Sequence, residues 1–172
     1  STASNNTAVG VSALNVNTTG AHNTAVGANA LDATTTADEV TAVGKNALGA
    51  NTTGAYGVAV GSGALAANTT GAENIAVGRN SLSTNTTASY NVSVGSASML
   101  DNTTGGHNVA IGQDALGNNT TASDNVAIGS SALYDNTSGA SLVAVGRSAL
   151  AANTTASNNT AVGHNAMLVN TT

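Results

Sequence analysis

The chain contains no cysteine, proline, tryptophan or phenylalanine. Without cysteine there is neither a disulfide nor a thiolate metal centre, and the redox compartment stays open. Aromatic residues make up 2% of the sequence. The centre of a compact globule needs larger side chains than that supplies. Charge is equally scarce, at 6% of residues, with Lys and Arg totalling 3. So few cations exclude a nucleic-acid partner and an anionic membrane surface. No apolar run approaches the roughly 20 residues of a membrane-spanning helix, so no membrane span is expected. Catalytic patterns are missing too. There is no G-x-x-x-x-G-K-[ST] loop, no recurring Ser/His/Asp set and no calcium-binding glycine-aspartate nonapeptide. The 8 acids are scattered over the chain without a paired-carboxylate pattern. The chain is therefore expected to be no enzyme and to carry no cofactor or metal.

What is present is a repeat. Glycine falls at Gly10, Gly27, Gly44, Gly61, Gly78, Gly95, Gly112, Gly129, Gly146 and Gly163, each step 17 residues without insertion or deletion. Taking this glycine as position 0, position 4 is Leu or Met and position 7 is Asn in all units but one. Positions 8 and 9 are Thr-Thr, once Thr-Ser, and position 10 is Gly or Ala. Position 13 is usually Asn, position 14 is Thr, Val or Ile, position 15 is Ala or Ser, and position 16 is Val or Ile.

A fixed period of this length denotes a solenoid. Gly, Asn and adjacent Thr are poor helix formers, which argues against a helical hairpin. Positions 13–16 alternate as a strand does, so 14 and 16 share one face and 15 points the other way. Positions 2–5 are expected to form a second short strand around the Leu. The glycine and the Asn-Thr-Thr-Gly stretch turn the chain between them. The predicted fold is all-β: a parallel β-solenoid, or β-roll, of about ten 17-residue coils. It forms one continuous array over residues 1–172. At about 4.8 Å per coil the rod is roughly 48 Å long.

Stacking places each side chain over its own copy. Asn17, Asn51, Asn68, Asn85, Asn102, Asn119, Asn136 and Asn153 are expected to form an amide ladder. Positions 4, 14 and 16 are taken as the interior, which is little burial for one thin solenoid. Position 15 stays small, through Ala25, Ala42, Ala59, Ala76, Ala110, Ala127 and Ala144. Freely solvated strand faces carry polar residues. Persistent Ala there predicts a second chain close by, hence a homo-oligomer, most simply a cyclic trimer. A monomer with an Ala-rich side is the alternative.

The segments "NIAVGRNSL" (74–82), "NVAIGQDAL" (108–116) and "NVAIGSSAL" (125–133) resemble the head repeats of trimeric autotransporter adhesins and similar repeats of bacteriophage tail fibres. The resemblance covers the whole chain. It implies β-rolls associated as a trimer and used for attachment outside the cell. The family unit is shorter and lacks the Asn-Thr-Thr-Gly stretch. The sequence begins at position 8 and stops at position 9 with no atypical end unit. Solenoids normally carry capping units, so a piece of a longer fibre is expected.

Variety collects at two positions. Position 12 carries His22, Glu39, Tyr56, Glu73, Tyr90, His107 and Asp124, and position 1 carries all three basic residues, Lys45, Arg79 and Arg147. These read as solvent-facing ridges. In a sharper reading, position 12 is a contact line for a receptor or glycan, with Tyr56 and Tyr90 stacking on sugars. The pairs His22/Glu39 and His107/Asp124 lack a third metal ligand. Recurring Thr suggests ice binding, but neighbouring Thr point opposite ways and leave one column per face. Asn-Thr-Thr is also an N-glycosylation sequon, which an inward ladder would block. The expected function is a structural and adhesive extracellular fibre, a phage tail-fibre shaft or a bacterial surface adhesin, with itself and a cell-surface receptor or glycan as partners. The alternatives are a ligand-binding solenoid for ice or glycan, or the subunit of an extracellular filament.

Overall fold

The computed structural model describes residues 2–170. They form a parallel β-solenoid, as the period predicts. Each coil contributes one three-residue strand: β1 (Thr7–Val9), β2 (Thr24–Val26), β3 (Thr41–Val43), β4 (Val58–Val60), β5 (Ile75–Val77), β6 (Val92–Val94), β7 (Val109–Ile111), β8 (Val126–Ile128), β9 (Val143–Val145) and β10 (Thr160–Val162). They make a single parallel sheet in sequence order. The register is exact to the repeat: Ala59 pairs with Ala76, and Val77 with Val94. A one-residue slip would turn every strand side chain to the wrong face.

The expected second strand over positions 2–5 is not formed. Those residues are turns. Position 4 is left-handed in every coil, from Leu31 at φ 51° to Met99 at φ 48°, and so is position 2, for example Asn46 at φ 56°. The hydrogen bonds give the reason. Asn46 N–H donates back to Ala28 C=O at 2.9 Å, whereas Leu48 N–H donates forward to Ala64 C=O at 3.0 Å. The left-handed residues aim amides at both neighbouring coils, which so tight a turn could not otherwise do. A left-handed Leu costs about 1–2 kcal/mol. Burying that Leu returns about 2–3 kcal/mol, and the inter-coil bonds add to it.

The core is a single column. Leu31, Leu48, Leu65, Leu82, Met99, Leu116, Leu133 and Leu150 are all fully buried, surrounded by Ala from positions 3 and 15. This corrects the orientation of the sheet. Ala25, Ala42, Ala59, Ala76, Ala110, Ala127 and Ala144 are not inter-chain packing residues; each is 0% exposed inside its own coil. The alternation is as expected, but 14 and 16 point out and 15 points in. Coils five and six reveal why position 15 is small. There Ser replaces Ala at positions 3 and 15, and Ser81 Oγ donates to Ser93 Oγ at 2.7 Å across the interior. Positions 3 and 15 therefore face each other inside one rod. The gap takes two methyl groups, and a Val on either side would not fit.

Candidate interaction surfaces

The outward positions of the sheet form a continuous face of two columns. Every residue in it is Thr, Val or Ile. Val43, Val60, Val77, Ile75, Ile111 and Ile128 are 36–40% exposed, although each stands between Val or Ile neighbours above and below. With strands about 4.8 Å apart, the two columns cover a strip roughly 45 Å by 10 Å. Apolar patches of this size on a soluble surface mark interaction sites.

The strip has two unlike edges. Position 12 precedes each strand. His22, Glu39, Tyr56, Glu73, Tyr90, His107 and Asp124 are all exposed there, as the sequence suggests. All seven are left-handed, with φ between 57° and 64°. The Tyr90 and His107 rings stack at 4.9 Å and 14°, so one face of Tyr90 is covered by its neighbour. Position 1 follows each strand and carries the exposed Lys45, Arg79 and Arg147. The described residues contain no cavity and no cluster of three or more His, Cys, Asp or Glu able to hold a metal ion.

The Asn ladder is present and lies inside. Asn51, Asn68, Asn85, Asn102, Asn119, Asn136 and Asn153 are buried, and Asn17 is half-buried. From Asn68 to Asn153 each amide donates twice: Asn68 Nδ2 donates to Asn51 Oδ1 at 2.9 Å and to Gly71 C=O at 2.9 Å. These sequons therefore present no free amide to a glycosyl transferase. Beside them, the position 8 hydroxyls form their own column, with Thr69 Oγ1 donating to Thr86 C=O at 2.9 Å. One outward Thr column remains, at position 9, where Thr53, Thr70 and Thr87 are exposed.

A second ladder runs at position 13 and was not anticipated. Asn74 Nδ2 donates to Ala88 C=O at 2.7 Å, and Asn74 Oδ1 accepts from Asn91 N–H at 3.0 Å. Asn91, Asn108 and Asn125 repeat this pattern toward Gly105, Ala122 and Gly139. The recurring Asn was visible in the sequence, but nothing there says which way its amide turns. Val40, Gly57 and Leu142 interrupt the ladder. At Gly57 a Cβ would meet nothing nearer than Leu48 Cδ1 at 3.6 Å, an ordinary contact. Gly57→Asn is therefore expected to bridge Gly71 C=O and Asn74 N–H. Two new bonds and a less flexible unfolded chain should add about 1–2 kcal/mol of stability, read as a higher urea midpoint. An unchanged or lower midpoint would contradict the geometry proposed for that coil.

Taken together, these surfaces offer an apolar strip with an acidic and aromatic edge and a basic edge, on a rod whose interior polar groups are spent on holding coils together. Comparison with protein families, with curated proteins and with solved structures finds no match for this chain.

Proposed function

We propose that this chain is a structural rod of an extracellular attachment fibre, a phage tail-fibre shaft or a bacterial surface adhesin, and that its copies associate as a homotrimer through the outward Thr/Val/Ile face. The observation that carries this reading is the continuous Thr/Val/Ile strip along the solenoid, apolar at every position from β4 to β9. Association through that face would remove it from water, and three narrow strips close around one axis. The resemblance of the Val-Ala-Ile-Gly units to adhesin heads and tail-fibre repeats supports the same assembly. The role is mechanical: the rod holds a binding element away from its base, and copies gathered in one fibre make weak contacts multivalent. It involves no catalysis.

Static light scattering tests it. A mass near three times 16.4 kDa is expected. Val77→Glu with Ile111→Glu should return the mass to 16.4 kDa while leaving the far-ultraviolet circular dichroism unchanged, because both side chains face outward. A parent protein of 16.4 kDa would overturn the reading, and so would a trimer indifferent to the two glutamates.

A further inference from the structure

Two of the acids that border the strip have a cation across it in the same coil, whereas Asp124 has Ser130 there. Glu39 and Glu73 are the only glutamates of the chain. Glu39 precedes β3 and Lys45 follows it; Glu73 precedes β5 and Arg79 follows it. All four are exposed. Within one chain the extended segment separates each acid from its cation by roughly 15–20 Å, too far for a pair. We propose that the partner seated on the strip is a second copy of this chain, parallel and in register, with Glu39 paired to Lys45 and Glu73 to Arg79 of the neighbouring copy. This rests on the self-association proposed above and specifies its direction and register.

The reasoning is geometric. Rotating a rod about an axis parallel to its length keeps every coil at its own height. It also brings the edge before the strand against the neighbour's edge after the strand. Acid then meets base at the same level, in a parallel dimer as well as a trimer. Turning the rod end over end has the opposite effect: acidic edge meets acidic edge and basic meets basic. Like charges set opposite each other across an interface cost several kcal/mol, so the antiparallel arrangement is opposed. The Thr/Val/Ile strip cannot choose between these arrangements, because its rows are nearly identical. An apolar surface of one composition associates in any register, and polar groups at its borders select one. The coils adjoining these pairs carry no charge at either edge, so a shift by one coil breaks both pairs and gains only Asp124 with Arg147 in exchange. Arg147 lies level with Ser141 and takes no acid at its own height.

The area agrees. The apolar strip alone covers roughly 450 Å², short of the roughly 800 Å² per partner of a stable interface. Adding the two edges doubles its width and reaches that value. The position 12 line, which the sequence suggested as a receptor contact, thereby becomes part of the interface at these coils.

Cross-linking tests the register, and the chain's lack of cysteine makes the experiment clean. Glu73→Cys with Arg79→Cys in one chain, treated with a short bis-maleimide, should give covalent dimers and trimers on a denaturing gel. Glu39 and Lys45 remain to hold the assembly. The mismatched variant, Glu73→Cys with the exposed Gln113→Cys, also keeps Glu39 and Lys45, lies two coils out of register and should give single chains. Charge reversal gives a second reading. Lys45→Glu with Arg79→Glu should raise the concentration for half-dissociation about 100-fold at low salt, and adding Glu39→Lys with Glu73→Lys should restore it. Equal linking of matched and mismatched variants, or no linking in an oligomeric protein, would overturn the parallel register. So would a reversal that leaves assembly unchanged. A parent protein that is monomeric before any substitution would instead sink the self-association itself.

Discussion

Gly78→Ala is expected to break the rod in two. Gly78 has φ 134°, a conformation that L residues rarely adopt. Its hydrogen faces the next coil, where a Cβ would lie 2.6 Å from the carbonyl carbon of Gly95 and closer still to the oxygen. Both atoms are backbone, fixed by the sheet, so neither can swing aside. The strained dihedral costs about 1–3 kcal/mol, and the forced separation of two coils costs more, giving on the order of 4 kcal/mol. In a linear array each coil touches only its neighbours, so the damage falls on one junction. Urea unfolding should show two transitions with smaller slopes in place of one. A single transition within 1 kcal/mol of the parent's stability would refute the close approach.

The second large effect is expected at the buried amide ladder. Asn102 Nδ2 donates to Asn85 Oδ1 at 3.2 Å and to Gly105 C=O at 3.0 Å, while Asn102 Oδ1 accepts from Asn119 Nδ2 at 2.8 Å. Asn102→Ala removes all three bonds and leaves the neighbouring amides short of a partner at 0% exposure. Abandoned buried polar groups cost about 1–3 kcal/mol each, so about 3–4 kcal/mol is expected in total. Amide hydrogen exchange should accelerate in the coils around residues 85–119 and stay near the parent's rate at the far ends. The half-buried Asn29, which donates to Asn46 Oδ1 at 3.1 Å near the surface, is the control. Its replacement by Ala should cost no more than about 1 kcal/mol, because water replaces the lost partner and only the left-handed preference of Asn is forfeited. Equal effects at Asn29 and Asn102 would mean that burial is not what makes the ladder matter.

Much of the fold was legible because the period carries it. Ten glycines at equal spacing leave one coil per unit, and the recurring Asn17-to-Asn153 column can stack only on itself. The strand at positions 14–16 followed from its alternation. The second strand did not form, because a pattern of small residues around a Leu does not reveal a left-handed backbone. Leu65 at φ 50° is disfavoured locally and is held there by its burial and its bond to Ser81 C=O. The Asn74-to-Asn125 ladder was missed for a related reason. An Asn before a strand reads as a turn residue until the carbonyl beneath it is located.

The sequence by itself determined that the protein is a stack of identical coils, which residues form its columns, and that charge and aromatic rings are confined to two lines. These are properties of periodicity and composition, and a repeat displays both. Only the tertiary structure decided which side of the strand is inside. Alternation states that Ala76 and Val77 point opposite ways, and it is silent on which faces the core. The width of the coil settles that: Ser81 meets Ser93 across a gap of two small side chains, so Ala goes in and Val is turned out to the surface.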